Sequence, residues 1–146
     1  MKKYLLIILA LCLVLVGCQK KEELLKTSTE LYSNSKEVLE IYGHDDIVTK
    51  VVITETYSDL DEEEIANFQQ KLETEKESIK DKKYVKLDQK IEENIVTDII
   101  TMDMSKKEYI SGLAELKALP EFVKTNDNLT LTEAIKIYES YGYKFD

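Results

Sequence analysis

Apolar and polar positions change phase several times along this chain. From Tyr4 to Val16 every residue is apolar, and at Gln19 the chain turns charged. Over Leu24–Ser33, Leu25, Thr27, Thr29 and Leu31 alternate with Lys26, Ser28 and Glu30. That pattern fits a strand or a helix, and the two threonines favour the strand. Asn34-Ser35 reads as a turn, Val38–Tyr42 as a short strand and Gly43-His44-Asp45-Asp46 as a hairpin loop. Ile47–Tyr57 is densest in Val, Ile and Thr. Its apolar residues fall on both faces, Val51 and Ile53 against Val48 and Val52, as in an interior strand.

The period then lengthens. Ile65, Phe68, Leu72 and Ile79 recur at helical spacing, after a start that Ser58 or Asp59 can cap. Asp61, Glu62, Glu63 and Glu64 fill the first turn and Lys80, Lys82 and Lys83 follow the last, both as the helix dipole favours. Tyr84–Ile91 and Ile95–Met104 read as strands around a Glu92-Glu93-Asn94 turn. Ser105-Lys106-Lys107-Glu108 has the form of a capping box and opens a short helix carrying Tyr109, Leu113 and Leu116, ended by Pro120. Asn126-Asp127-Asn128 is loop. Thr130-Leu131-Thr132-Glu133 is a second capping box, leading Ala134, Ile137, Tyr138 and Tyr141 to a stop at Gly142. Strands joined by short turns and followed by helices predict an α+β fold. The expected architecture is an antiparallel sheet of four or five strands packed against one long helix, with additional C-terminal helices.

The N-terminal run changes the picture. Met1-Lys2-Lys3 is positive, and the apolar stretch is shorter than the roughly 20 residues a bilayer span needs. That is the layout of a secretory signal. Leu15-Val16-Gly17-Cys18 resembles the lipobox of bacterial lipoproteins, in which a diacylglyceryl group is attached to the cysteine and the chain is cut before it. The resemblance implies a signal peptide over 1–17, a lipidated Cys18 with a tether over 18–23, and one domain over 24–146. Two acyl chains anchor a protein stably where one holds marginally. Cys12 leaves with the signal, so the exported domain has no disulfide. The expected location is the extracytoplasmic face of the bacterial cell membrane.

Removing 17 of the 146 residues leaves 129, enough for one domain with its own core. Loss of Lys2 and Lys3 leaves 18 lysines against 29 acids, a charge of −11, and there is no arginine. Nucleic-acid binders carry a basic face, so a nucleic-acid partner is not expected. Anionic headgroups repel such a surface, which leaves the lipid on Cys18 as the membrane attachment.

With the elements in order, the exported region resembles the YehR-like family of small bacterial lipoproteins. The stretches that carry the likeness are the Tyr42–Tyr57 hairpin, Glu93-Asn94-Ile95-Val96-Thr97-Asp98 running to Met102-Asp103-Met104, and Leu131-Thr132-Glu133-Ala134 running to Gly142-Tyr143. The resemblance implies a compact α+β lipoprotein domain and brings no catalytic motif with it.

Candidate chemistry is sparse. His44 is the only histidine, and with Asp45 and Asp46 it falls short of the four ligands of a structural zinc site. No Gly-x-Ser-x-Gly elbow is present to pair with it as a base. Asp59 and Asp61–Glu64 lack the order of a calcium loop and read as a helix start. Tyr138, Tyr141 and Tyr143 gather near Phe145, where they either pack the last helix or face a partner. Neither a cofactor nor a metal is expected. The functional expectation is a membrane-anchored surface lipoprotein, not an enzyme, that binds an envelope protein, a peptide or another ligand. The alternative is a small cell-envelope hydrolase that uses carboxylates.

Overall fold

The computed structural model describes residues 21–145. In chain order it contains β1 (Glu23–Leu31), β2 (Ser35–His44), β3 (Ile47–Tyr57), α1 (Glu62–Ile79), β4 (Val85–Glu92) and β5 (Ile95–Asp103). There follow α2 (Lys107–Glu115), a 3-10 turn (Glu121–Thr125), β6 (Leu129–Thr130) and α3 (Leu131–Ser140). The fold is α+β. The long strands form an antiparallel sheet in the order β1-β2-β3-β5-β4, and the two residues of β6 add a sixth strand on β3. The signal segment, Cys18 and the start of the tether lie outside the described residues.

Alternation decides Leu24–Ser33 in favour of a strand, and Glu23 already pairs with Gly43, so the tether ends one residue sooner than expected. β2 is longer than the Val38–Tyr42 segment read from sequence. The hairpin loop is only Asp45-Asp46, with Asp45 at φ 54°, a left-handed conformation that Asp tolerates. Gly43 therefore belongs to the strand. Its lack of a side chain is still required, since a Cβ there would lie 1.9 Å from the Ile47 carbonyl oxygen.

The register organises the covered face. Leu39, Ile53, Ile100 and Leu87 stand in one row across four strands, and Ile41, Val51, Met102 and Val85 in the next. Because strand side chains alternate, both rows face the same way. α2 covers them with Ile110, Leu113 and Ala114, and α3 with Ala134, Ile137 and Tyr138, all buried. Each such Leu or Ile is worth about 1.5–3 kcal/mol of burial. This corrects the expected architecture, because the two C-terminal helices, and not the long one, cover the main core. α1 buries only Leu72, while Ile65, Phe68 and Ile79 remain half-exposed. It lies over the other end of the sheet, its Phe68 ring 4.6 Å from that of Tyr57.

The helix starts also differ from expectation. Asp61 caps α1, in a capping box whose two bonds with Glu64 are both 2.9 Å, while Asp59 sits outside at φ 60°. α2 has no capping box: the Ser105 N–H and hydroxyl both donate to Asp103 Oδ1, at 2.9 and 2.6 Å, so the serine serves the strand end instead. Leu116, assigned to its apolar stripe, is exposed. The capping box of Thr130 and Glu133 forms as read, and Gly142 stops α3 at φ 103°.

Leu113→Ala should therefore cost about 2–5 kcal/mol of stability, as for a fully buried leucine. Phe68→Ala, at a half-exposed position, should cost about 1–2 kcal/mol by area lost. Urea unfolding of the two variants side by side checks the order.

Candidate functional site

One register row of the covered face is not apolar. Two residues along from the Leu39 row, Glu37 pairs with Glu55, Glu55 with Asp98 and Asp98 with Gln89. With Glu30 of β1 paired to Glu37, four carboxylates thus stand in line across four adjacent strands, half-buried and between two apolar clusters. On one side lie Leu39, Ile53 and Ile100 under the C-terminal helices; on the other lie Tyr57 and the fully buried Val96, near α1. Directly opposed like charges destabilise a sheet. Folding alone does not ask for them.

Two of these acids accept from neutral donors. The Tyr57 hydroxyl donates to Glu55 Oε2 at 2.8 Å, and Gln89 Nε2 donates to Asp98 Oδ1 at 2.7 Å. The Tyr143 phenol lies close enough to Glu37 to feel its charge. Burial, then the Glu55 carboxylate, and then the charges of Asp98 and Glu37 push the Tyr57 phenol well above its ordinary pKa. Burial and then Glu37 do the same to Tyr143. None of the ion pairs formed among the described residues includes Glu37, Glu55 or Asp98.

Two hollows open on this row. The larger, about 410 Å³, runs from Ile53, Ile100 and Glu37 to the tyrosines at the end of α3, with Glu30 and Tyr32 of the β1 end at its rim. The smaller, about 140 Å³, lies under α1 and is lined by Glu55 and Asp98; Ile100 lines both. Tyr138 is 2 % exposed, and its hydroxyl has no hydrogen-bond partner. The Tyr143 ring stands edge-on to it at 5.7 Å and that of Tyr141 at 6.2 Å. The tail that carries Tyr143 is tied down where the Lys144 N–H donates to the buried Ser28 hydroxyl at 3.2 Å.

The residues singled out from sequence divide accordingly. Tyr138, Tyr141 and Tyr143 come together, the first in the core, the second exposed and the third half-buried. His44 ends β2 with its Nδ1 3.7 Å from Asp45 Oδ2, away from the acidic row. Among the described residues no group of three or more His, Cys, Asp or Glu is arranged to hold a metal ion. Glu37, Glu55 and Asp98 were missed. Their signal was an acid in the apolar phase of each strand, two residues from Leu39, Ile53 and Ile100.

Raising a folded-state tyrosine pKa favours the neutral phenol. The resulting stability is complete below pH 10, the unfolded value, and drains away as pH rises above it. Tyr57 should therefore ionise only with alkaline unfolding. A hydrogen bond to a charged group contributes about 1.5–3 kcal/mol. Glu55→Gln should accordingly bring ionisation about one to two pH units lower. Carbon NMR of ζ-labelled tyrosine follows it.

Two structures solved by NMR share this architecture. The YehR protein of E. coli is 17% identical over 87% of this chain and 92% of that chain, with a TM-score of 0.59. A protein from Streptococcus pneumoniae TIGR4 is 14% identical over 88% of this chain and 87% of that chain, with a TM-score of 0.50. No family model matches the chain, and no curated protein matches it. At these identities the likeness is one of fold: the chain has a YehR-like fold.

Proposed function

We propose that this chain is a YehR-like bacterial lipoprotein, anchored through Cys18 to the extracytoplasmic face of the cell membrane, that binds a small ligand in the cleft over the acidic row. The anchor rests on the sequence Leu15-Val16-Gly17-Cys18 behind a positive start and an apolar run. No helix among the described residues is long and apolar enough to cross a membrane. The binding role rests on one observation, a ligand-sized hollow that brings the carboxylates of Glu30 and Glu37 together with Ile53, Ile100 and a group of tyrosines.

Cys18→Ala should move the protein from the membrane fraction to the soluble extract. Retention on membranes after a high-salt wash would rule the lipid out as the attachment. For the binding role, native mass spectrometry of the gently extracted protein should detect a bound small molecule. Ala118→Trp, which fills the larger hollow, should lose it. Identical spectra for wild type and Ala118→Trp would count against a ligand at this site.

A further inference from the structure

We propose that β1 pairs edge to edge with β1 of a second copy of this chain, antiparallel and centred on Ser28, and so joins two sheets into one.

The edge is open and its backbone is aligned for pairing. β1 ends the sheet, and no strand lies beyond it among the described residues. The Tyr32 N–H donates to the Ser35 carbonyl oxygen at the turn into β2. Bonded positions alternate along an antiparallel pair, so Glu30 and Ser28 also turn their backbone groups toward β2, while Thr27, Thr29 and Leu31 turn theirs outward. Such a row of outward N–H and C=O groups is a template for another strand. At the two ends of the edge, Leu24, Leu31 and Tyr32 are 50, 74 and 60 % exposed, apolar area that one chain leaves in water.

What fits this edge is the same strand turned round. A two-fold axis at Ser28 sets Thr27 of one copy against Thr29 of the other, so outward groups meet outward groups. It brings Leu24 and Leu25 beside the other copy's Leu31 and Tyr32. It also sets Lys26 directly against Glu30, once on each side of the axis. No other register opposes these two. Opposite charges across a strand pair stabilise it and like charges destabilise it. A foreign strand, or a slipped copy, leaves Lys26 and Glu30 uncompensated, so the edge selects its own kind.

The second ground lies in the acidic row. Glu30 begins it, opposed to Glu37, and enters none of the ion pairs formed among the described residues. The second copy's Lys26 supplies a countercharge to that end of the row, at the rim of the larger hollow that Glu30 lines. In the pair the two Glu23 ends lie roughly 30 Å apart, on opposite sides of the axis. With the proposed anchoring, both short tethers then reach one membrane only when the paired strands lie along it, whereas a single chain stands β1 upright.

Sedimentation equilibrium of the full chain in a density-matched non-ionic detergent tests this. Wild type should dimerise with a dissociation constant of about 10 μM. Lys26→Glu alone and Glu30→Lys alone each set like charges against each other across the axis, and each should weaken association at least about tenfold. Mixing these two variants should restore association, because each chain then meets opposite charge. The double swap in one chain should return it to within about threefold of wild type. Thr29→Pro removes an outward N–H and no bond to β2, so pairing should be lost while circular dichroism stays that of the folded chain. A chain that is monomeric at about 500 μM overturns the proposal. So does association that survives Thr29→Pro, or that the single swaps change by less than about twofold. Single swaps that the double swap fails to rescue place the contact elsewhere and overturn it too. If Thr29→Pro unfolds the chain, the charge swaps decide alone.

Discussion

The antiparallel register of β2, β3 and β5 is the constraint on which everything else depends. It sets Leu39 beside Ile53 and Ile100, and Ile41 beside Val51 and Met102, so that one face is apolar where the C-terminal helices land. A slip of one residue in any of these strands would turn its apolar set to solvent. The same register brings Glu37, Glu55 and Asp98 into line. The acidic row cannot be displaced without displacing the core.

Core and row therefore compete for one surface. Two carboxylates about 5 Å apart repel by about 3 kcal/mol at an effective dielectric of about 20. Tyr57 and Gln89 each give a hydrogen bond to one acid, which stabilises it without cancelling its charge. Lysines at these neighbouring positions would have removed the repulsion, yet Lys71 of α1, beside Glu55 and Asp98 in the smaller hollow, pairs with Glu75 at 3.8 Å. Places where local physics is left unresolved in an otherwise consistent fold are where function is to be sought. The gap between α1 and the C-terminal helices over this same row has the same sense, since closing it would bury the charges with no countercharge.

Much of the fold was legible in the chain. Ile47–Tyr57 is recovered residue for residue, because β-branched density and alternation agree there. The Thr130–Glu133 box and the Gly142 stop are local signals and held. The Ser105 box failed because a nearer acceptor, Asp103, took the serine. α1 misled in another way: its stripe has the period of a core helix, but periodicity says which side is apolar and not how much sheet is free to receive it. The site was the least legible part. Each acid looks like an ordinary surface residue within its own strand, and only pairing across residues 37, 55 and 98 makes a row. The tyrosines near the C-terminus were visible as a cluster. The missing hydrogen bond of Tyr138 belongs to three dimensions alone.

The anchor and the cleft constrain each other through β1. On the proposed anchoring, a lipid at Cys18 would lie five residues before Glu23, a reach of at most about 18 Å for a fully extended chain. The first residue of β1 pairs with Gly43, at the hairpin end of the sheet. Glu30 and Tyr32, at the rim of the larger hollow, lie at or just beyond the other end of that strand. Nine residues of strand separate those ends by about 30 Å. With that anchoring, a short tether at one end of β1 and the larger hollow at the other would hold the hollow away from the anchored end. Anionic headgroups concentrate cations within about one Debye length, roughly 8 Å, of the membrane. A β1 directed away from the membrane, as the proposed anchoring of a single chain implies, would set the acidic row beyond that layer, where the headgroup charge is screened.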